Sequence, residues 1–465
     1  MLPKDSKKLH FVGIGGCGMS GIAWVLLNKG YSISGSDLSE NAMTRRLAAN
    51  GARIALGHRA ENVGDAETLV ISSAIREDNP ELMAARERGL QIVHRADALD
   101  QILRDGRSVA VAGTHGKTTT TSMLVLAAEC CGLDPTALIG GELHDIGGNA
   151  KAGRSDLVIA EADESDGSFL KYAPDWAVVT NMEADHLDHY KTPEAVVEAY
   201  ERFISQTRNR VALCVDDPRA RKAIERTGAA AITYSIHSPE ADFYARDIEW
   251  SGAGVAYDLH IDGEEIMNVQ LGVPGVHNVA NSLATLAICR EIGADLTTAA
   301  QGLARYHGAQ RRFQIKGRTH GVTIVDDYAH HPTEVKATLG SARNWQAVHQ
   351  GRRIVGIFQP HRYSRTQALS ADFGPVFSDA AEVIITDVYA AGELPIEGVN
   401  GELVYQCVLR AGHPNVKYIP SKAEISDYVA GRVEAGDLVM TLGAGDIWKV
   451  GEQLLERLNT PVQTA

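Results

Sequence analysis

Short apolar runs that end in glycine or acidic residues recur along the chain, and helical patterns follow them. The clearest case is the strand-like run Val109–Ala112, which leads through a glycine-containing turn into the helix-like Ser122–Glu129. Such alternation is typical of buried strands and helices in a mostly parallel sheet, so the sequence predicts an α/β protein. Further predicted strands are Leu9–Ile14, Tyr31–Gly35, Thr68–Ser72, Gln91–Arg95, Leu157–Ala160, Trp176–Thr180, Val211–Val215, Ala231–Tyr234, Gly321–Asp327, Ile354–Gln359, Glu382–Val388 and Asp437–Leu442.

The alternation falls into three blocks, which we predict to be three domains. Residues 1–107 form a Rossmann-like domain, residues 108–312 a central domain of the P-loop ATPase type with a parallel or mixed sheet, and residues 313–465 a second Rossmann-like domain. Within the central block, Ile248–Val269 has the pattern of an antiparallel insert with a hairpin turn at Asp262-Gly263.

The turn after Val109–Ala112 is the strongest chemical signal in the chain. A strand, a glycine-bearing turn and a helix start bind phosphate, because turn N–H groups and the helix dipole both attract an anion. Lys117 would then reach the β- and γ-phosphates, and the Thr118 hydroxyl would hold Mg²⁺. The usual P-loop has a glycine where this chain has Val111, and the alternative is an ordinary turn with a solvated lysine. The predicted phosphate-binding residues are Gly113, Thr114, His115, Gly116, Lys117, Thr118 and Thr119.

A second glycine loop follows the first predicted strand and contains Gly13, Gly15, Gly16 and Gly18. Together with Asp37, which follows the second strand, it fits a dinucleotide-binding pattern for NAD or FAD. A UDP-sugar carries the same pyrophosphate, so the pattern alone leaves both ligands open. Ser72 and Ser73 end the third strand, where they either contact the ligand or form turn bonds.

Polar residues also follow strands of the central block. Glu161 follows a buried strand beside the phosphate loop, so it is a candidate metal ligand, although strand-end acids are often only solvated. His186 lies in an Asp/His cluster after Trp176–Thr180, where it either helps to bind a second Mg²⁺ or is structural. Asn278 and Asn281 are three residues apart at a helix start and contact adenine or phosphate, or cap the helix.

In the last block, His361, Arg362 and Arg365 follow the strand Ile354–Gln359. Two arginines at the carboxyl edge of a parallel sheet can bind a carboxylate through paired hydrogen bonds, because guanidinium geometry matches a carboxylate. The alternative is that both are surface charges.

Charge and composition narrow the function classes. The net charge is −14 and no long basic run occurs, so the sequence gives no support for nucleic-acid binding. No stretch approaches the roughly 20 apolar residues of a membrane span, and the first residues lack a secretory pattern. The six cysteines show no C-x-x-C pair or zinc spacing, so we expect free thiols in a reducing cytoplasm.

Several long motifs, in order, resemble those of the Mur ligases, the ATP-dependent amide-forming family of peptidoglycan synthesis. The motifs are HFVGIGGCGMSGIA (His10–Ala23), AGTHGKTTTT (Ala112–Thr121), EADESDGSFL (Glu161–Leu170), TNMEADHLDHY (Thr180–Tyr190), GVHNVANSLA (Gly275–Ala284), RRFQIKG (Arg311–Gly317), DDYAHHPTEV (Asp326–Val335) and QPHRYSRT (Gln359–Thr366).

The resemblance implies three domains, which bind a UDP-sugar, ATP and an amino acid. It implies that ATP phosphorylates the lactyl carboxylate of UDP-N-acetylmuramate and that the L-alanine amine attacks the resulting acyl phosphate. The N-terminal glycine loop then binds UDP-muramate rather than NAD. The expected protein is a cytoplasmic monomer or homodimer that uses ATP and Mg²⁺ (or Mn²⁺), with no nucleic-acid partner and no membrane insertion.

The resemblance also implies roles for single residues. Lys117, Arg312 and His186 act in catalysis, with Lys117 and Arg312 at phosphate groups. The remaining assignments place Thr118, Glu161 and His186 at the metal ions, Asn278 and Asn281 at the adenine, Asp327 at the ribose, and His361, Arg362 and Arg365 at the alanine. Several relatives carry a carbamylated lysine near the position of Glu201, and this chain departs from them there.

Two other function classes remain as alternatives from the sequence. An NAD-dependent oxidoreductase would use the loop Gly13–Gly18 and Asp37, but it leaves the phosphate loop and the arginine pair unexplained. A nucleotide switch without enzymatic turnover is the weaker alternative, since the N-K-x-D pattern that recognises guanine is absent.

Overall fold

A computed structural model describes residues 6–251 and 254–460. It contains three sheets in chain order, with helices between most of the strands. The architecture is α/β with three domains, as the alternation of apolar runs predicts. Residues 252 and 253 of the predicted insert, and the first and last five residues of the chain, lie outside the described residues.

The N-terminal sheet is five-stranded, in the order β3-β2-β1-β4-β5, and its neighbouring strands are parallel. This is the doubly wound arrangement in which ligands bind at the carboxyl ends of the strands. Its strands are β1 (Lys8–Val12), β2 (Ser32–Asp37), β3 (Arg53–Leu56), β4 (Thr68–Ile71) and β5 (Gln91–His94), and its helices are α1 (Cys17–Asn28), α2 (Ala42–Ala49), α3 (Pro80–Glu87) and α4 (Arg95–Arg104).

The central sheet has ten strands and is mixed, in the order β15-β14-β13-β12-β11-β10-β6-β9-β7-β8. Strand β6, which leads into the phosphate loop, lies between β10 and β9, so the loop emerges within the sheet rather than at its edge. The strands are β6 (Arg107–Ala112), β7 (Thr136–Leu143), β8 (Gly148–Lys151), β9 (Leu157–Glu161), β10 (Trp176–Val179), β11 (Arg210–Cys214), β12 (Ala231–Ser235), β13 (Phe243–Ser251), β14 (Gly254–Ile261) and β15 (Glu264–Leu271).

The helices of this region are α5 (Lys117–Cys130), α6 (Leu187–Tyr190), α7 (Pro193–Gln206), α8 (Pro218–Thr227), α9 (Val276–Glu291) and α10 (Leu296–Ala304). Helix α5 is buried on all sides and packs against α10, β7 and β9, which explains its lack of a polar face.

The C-terminal sheet has six strands in the order β16-β17-β21-β18-β19-β20, with β16 antiparallel to β17 and the other pairs parallel. Its strands are β16 (Gln314–Thr319), β17 (Val322–Asp327), β18 (Ile354–Phe358), β19 (Glu382–Ile385), β20 (Val416–Tyr418) and β21 (Leu438–Leu442), and its helices are α11 (Pro332–Val348), α12 (Tyr363–Leu369), α13 (Gly401–Arg410), α14 (Lys422–Ala430) and α15 (Trp448–Asn459).

Contacts divide the chain into two compact units. The first comprises residues 1–246, 258–269 and 279–309, and the second comprises residues 247–257, 270–278 and 310–465. Within the first unit, helix α1 packs on β7 and β8, and one apolar core runs from the N-terminal sheet into the central one. The domain boundaries at residues 107 and 312 stay a prediction.

The predicted strands are present, and most differ from their expected bounds by one to three residues. Helix α9 differs most, because it begins at Val276 rather than at Ser282, directly after Gly275 with its φ of +104°. Asn278 and Asn281 therefore lie inside the helix. The predicted hairpin turn joins β14 to β15, and Asp262 and Gly263 both have positive φ, as a tight two-residue hairpin requires.

Candidate active site

The phosphate loop is held open by two glycines with positive φ. Gly113 has a φ of +129° and Gly116, which precedes α5, has a φ of +83°. Side chains from the end of β10 fix the loop. Asn181 accepts from the His115 N–H at 3.0 Å and donates to the His115 carbonyl, and the Thr180 hydroxyl donates to the same carbonyl. The loop is therefore pre-formed, as anion binding by backbone N–H groups requires.

Lys117, the first residue of α5, points back across the loop. Its ammonium donates to the carbonyl oxygens of Gly113 and Thr114 at 2.7 and 3.2 Å, and it forms an ion pair of 2.8 Å with Glu164, whose side chain is only 2% exposed. Burial lowers the pKa of Lys117, but Glu164, Asp163 and Glu161 outweigh this, so the net shift is upward. The lysine is therefore charged and lies at the predicted phosphate loop, and its contact with a phosphate stays a prediction.

Thr118 and Glu161 come together beside this lysine. The Thr118 hydroxyl donates to Glu161 Oε1 at 3.2 Å, and the other carboxylate oxygen accepts from the Gly140 N–H at 2.7 Å. Burial raises the pKa of Glu161, and Lys117 opposes that shift. A hydroxyl and a carboxylate at the end of a phosphate loop are oxygen ligands of the kind that Mg²⁺ uses.

His186 lies next to Glu164. It has a φ of +55° and precedes the short helix α6, and its Nε2 is 3.5 Å from Glu164 Oε1. The Tyr190 hydroxyl donates to the Glu164 carbonyl at 2.6 Å, so α6 is tied to the same loop. The role of His186 as a metal ligand stays a prediction. Glu201, near which the resemblance places the carbamylated lysine of several relatives, forms an ion pair with Arg226 on α8.

The two predicted adenine contacts lie on α9. In the first unit, a Cβ added to Gly116 would be 2.7 Å from Asn281 Oδ1, so this side chain lies directly against the phosphate loop. In the second unit, Asn278 donates through Nδ2 to the Pro274 carbonyl at 2.6 Å. Neither adenine contact is tested by these positions.

In the N-terminal domain, the glycine loop is closed by two polar residues at and after the end of β2. Asp37 accepts from the Gly15 N–H at 2.8 Å, and Asn41 donates to the Gly15 carbonyl at 3.0 Å. The Asp37 carboxylate thus fixes the loop. Its predicted contact with the nucleotide ligand is untested, as are the ligand contacts predicted for Gly13, Gly15, Gly16 and Gly18.

Ser72 and Ser73 follow β4 and are candidates for contact with the ligand, but both form hydrogen bonds within the protein. The Ser73 hydroxyl donates to Asp166 of the central domain at 2.6 Å and lies 3.1 Å from His94. The Ser72 carbonyl accepts from the Ile75 N–H. Ser73 therefore contributes to the interface between two domains, a role that the sequence does not predict.

In the second unit, the two neighbouring arginines of the RRFQIKG motif differ. Arg311 donates to Asp326 at 2.9 Å and to the carbonyl oxygens of Gly443, Ala444 and Gly445, so it holds the loop after β21. The guanidinium of Arg312 lies over the Tyr328 ring, 5.2 Å from its centroid.

Asp327, at the end of β17, is almost fully buried. Its oxygens accept from the N–H groups of Phe313 and Ala329 at 2.7 and 2.8 Å. Burial raises the pKa of this carboxyl to about 6, and Arg312 opposes that shift. Its predicted ribose contact is untested.

The end of β18 carries the predicted amino-acid site. Arg365 Nη1 is 3.3 Å from His361 Nδ1, and the His361 ring stacks on Tyr389 with centroids 5.7 Å apart. Burial, followed by the neighbouring side chains of His330, Arg365 and Arg362, lowers the pKa of His361 to about 3. His361 is neutral at pH 7, and its surroundings favour an anion.

Sequence reasoning missed three residues of the first unit. Glu164 pairs with Lys117, Asp163 adds negative charge near it, and Arg95 contacts Asp163 from the N-terminal domain. The first two belong to the quoted motif EADESDGSFL, where the recurrence of acids was the available signal. Arg95 carries no such signal, because its partners are distant in sequence.

Comparison with known proteins agrees with this architecture. Models described as "Mur ligase family, catalytic domain", "Mur ligase middle domain" and "Mur ligase, glutamate ligase domain" match residues 8–107, 111–289 and 311–445. A protein of Pelotomaculum thermopropionicum named UDP-N-acetylmuramate–L-alanine ligase is 47% identical over 98% of each chain. The chain belongs to the Mur ligase family.

Other members of the Mur ligase family are similar over nearly the whole chain. A protein of the same name from Pelobacter propionicus is 46% identical over 97% of this chain and 98% of its own. The crystal structure of UDP-N-acetylmuramate–alanine ligase from Thermotoga maritima superposes with a TM-score of 0.81 at 29% identity, over 97% of this chain and 98% of the other. A murein peptide ligase of Psychrobacter arcticus shares the fold, with a TM-score of 0.72 at 22% identity over 98% and 99% of the two chains.

Among the described residues of this Mur ligase, no helix is both long and apolar enough to cross a membrane.

Proposed function

We propose that this protein is an ATP-dependent ligase that joins L-alanine to the lactyl carboxylate of UDP-N-acetylmuramate and releases ADP and phosphate. The observation that carries the proposal is the pre-formed phosphate loop, whose buried Lys117 lies among three carboxylates. Relatives that are 45 to 47% identical over almost the full chain are named for this activity.

The loop supplies the phosphate chemistry. The N–H groups of Gly113–Thr119 and the start of α5 would bind the phosphates of ATP, and Lys117 would leave Glu164 to neutralise charge on the transferred phosphoryl group. Because phosphoryl transfer is catalysed mainly by positioning and charge stabilisation, a lysine already held at the loop suits this reaction.

The donor set beside the loop fits a divalent cation. Thr118 and Glu161 offer a hydroxyl and a carboxylate oxygen 3.2 Å apart, and His186 offers an imidazole nitrogen at the neighbouring Glu164. We propose that Thr118 and Glu161 hold one Mg²⁺ or Mn²⁺ ion and that His186 helps to hold another, and these ions would offset the phosphate charge when bound. The Gly140 N–H donates to the Glu161 carboxylate, and this hydrogen bond fixes the orientation of the carboxylate towards the loop.

The two remaining substrates would bind at the carboxyl ends of the two other sheets. The glycine loop after β1, at the N-terminus of α1, suits the pyrophosphate of a UDP-sugar, because helix N–H groups are available there. His361, Arg362 and Arg365 would bind the alanine carboxylate, and we assign Asn278, Asn281, Arg312 and Asp327 to ATP.

A carboxylate does not form an amide directly, since oxide is a poor leaving group. We propose that the lactyl carboxylate attacks the γ-phosphorus of ATP, with ADP as the leaving group, and that the alanine amine then displaces phosphate from the acyl phosphate. The free cysteines are consistent with a reducing cytoplasm, and the protein would act there as a monomer or homodimer.

The test is the release of ADP as each substrate is omitted in turn. We expect full turnover only with ATP, UDP-N-acetylmuramate and L-alanine together, and the same assay across twenty amino acids gives the selectivity. Release of ADP without UDP-muramate and an amino acid would favour a nucleotide switch. A change in nicotinamide absorbance on addition of NAD would favour the oxidoreductase.

A further inference from the structure

Arg95 lies between the glycine loop of the N-terminal domain and the acidic turn that follows β9, both in the first unit. It is the first residue of α4, and its side chain is only 16% exposed. On one side, a Cβ added to Gly18 would be 3.4 Å from Arg95 Nη1, so the guanidinium lies against the glycine loop of the N-terminal domain. An arginine in this position is sequestered between domains, unlike an ordinary surface charge.

The other end of the guanidinium contacts the loop that follows β9. Arg95 Nη2 is 3.3 Å from Asp163 Oδ2 and 3.2 Å from Asp166 Oδ2. Both carboxylates also form hydrogen bonds within the loop. Asp163 accepts from the Ser165 N–H, and Asp166 accepts from the Ser168 N–H. Arg95 therefore holds a turn whose shape is already defined.

A chain of hydrogen bonds supports the same contact. His94 accepts from the Ala96 N–H through Nδ1, so its Nε2 carries the proton in the neutral ring. Nε2 can then donate to the Ser73 hydroxyl at 3.1 Å, and that hydroxyl donates to Asp166 at 2.6 Å. This relay of three hydrogen bonds ends at Asp166, so the Ser73 hydroxyl and Arg95 both donate to the same carboxylate of the acidic turn.

The turn that Arg95 holds carries the groups proposed for phosphate and metal chemistry. Asp163 is flanked by Ala162 and Glu164, and Glu161 is two residues before it. Glu161 faces Thr118, and Glu164 faces Lys117. A shift of the turn would therefore move both carboxylates relative to the phosphate loop.

We propose that Arg95 is a positioning residue of this ligase, which fixes the Glu161–Asp166 turn and thereby couples the sugar-nucleotide domain to the phosphate and metal centre. The proposal rests on the proposed function for its catalytic consequence, but its structural consequence, the orientation of Glu161 and Glu164, does not depend on it.

The chain offers a matched control across the same two domains. Lys171 forms an ion pair of 2.8 Å with Asp97 on α4, but this pair is more exposed and does not touch the Glu161–Asp166 turn. If Arg95 only stabilised the contact between the two domains, Lys171→Ala and Arg95→Ala would change Mg²⁺-dependent ADP binding in the same way.

The first measurement is the affinity for ADP by calorimetry, once in EDTA and once in saturating Mg²⁺. The quantity compared between variants is the ratio of the Kd in EDTA to the Kd in Mg²⁺. For Arg95→Ala we expect this ratio to fall by about tenfold, since residues that orient metal ligands are typically worth 10–100-fold. Arg95→Lys should recover part of the loss, and Lys171→Ala should match the wild type. An unchanged ratio in Arg95→Ala would overturn the proposal.

The second measurement is steady-state turnover. Arg95→Ala should lower kcat by about 10–100-fold with the KM for alanine unchanged, because a misplaced centre loses transition-state contacts. A higher KM for UDP-muramate at normal kcat and normal Mg²⁺ dependence would instead make Arg95 a direct substrate ligand, against the proposal. Absence of turnover in the wild type would refute the proposed function and leave the binding measurement to decide on Arg95.

Asp166→Asn is the second variant, in case Arg95→Ala does not fold. It weakens the same contact from the opposite side at nearly constant volume. We expect the Mg²⁺ dependence to change in the same direction, and a wild-type ratio in a folded Asp166→Asn would contradict the role of the turn.

Discussion

At the residue scale, the central feature is the pair formed by Lys117 and Glu164. The lysine side chain is 13% exposed and the glutamate 2%. Each neutralises the other while the lysine lies over the loop carbonyls, and ATP would compete with Glu164 for the ammonium. Lys117 therefore contributes both to the stability of the fold and to the proposed chemistry, and a test has to separate these two roles.

We predict that Lys117→Met lowers ADP release by about 10²-fold or more, because a charge at the transferred phosphoryl group is lost. The single variant should also be less stable by about 3–5 kcal/mol, since Glu164 stays buried without its cation. Lys117→Met combined with Glu164→Gln should recover the melting temperature but not the activity.

Lys171→Met is the control for removing a lysine from an exposed ion pair, and it should retain normal turnover. Near-normal ADP release in the stable double variant would exclude this loop as the site of phosphoryl transfer.

At the scale of elements, the strand–loop–helix units were predictable because their signals are local. The apolar run of β6, the glycines with positive φ and the start of α5 are adjacent in sequence, and so are β1, the glycine loop and α1. Strands β7 and β8 were not predicted, because the apolar run Ala137–Ile139 of β7 is short and is followed by two glycines, and β8 carries a single apolar residue, Ala150. Their burial comes from packing against α1, which is distant in sequence.

The glycine loop after β1 leads to a prediction about Gly16. Its φ is −63°, and an added Cβ would be 3.4 Å from the Gly13 carbonyl, so alanine fits the loop itself. If a pyrophosphate approaches this backbone, Gly16→Ala should weaken UDP-muramate binding by about tenfold, or roughly 1.4 kcal/mol, at an unchanged melting temperature.

Gly340→Ala on α11 is the control, since its added Cβ would be in ordinary contact with the Asp379 side chain at 3.9 Å. Unchanged affinity in Gly16→Ala would mean that the ligand does not approach the loop there. Binding of NAD rather than UDP-muramate by calorimetry would restore the oxidoreductase hypothesis.

At the scale of the whole molecule, the order of three α/β domains was predictable, and the contacts between domains were not. Ser73 was expected at a ligand or in a turn, but it donates to Asp166, 93 positions later in the chain. Arg95 was expected to end a strand, but it begins α4 and reaches the acidic turn of the next domain. Pairs of this kind depend on how domains pack, which periodicity along one segment does not encode.

The central claim of the account is that the lactyl carboxylate itself is phosphorylated. The most direct test labels that carboxylate of UDP-muramate with ¹⁸O and follows the label during turnover with ATP and L-alanine. The account predicts one ¹⁸O in each released inorganic phosphate, because the carboxylate oxygen leaves with the phosphoryl group. Unlabelled phosphate released while amide forms would contradict it, and label in AMP with release of pyrophosphate would show an adenylate route instead.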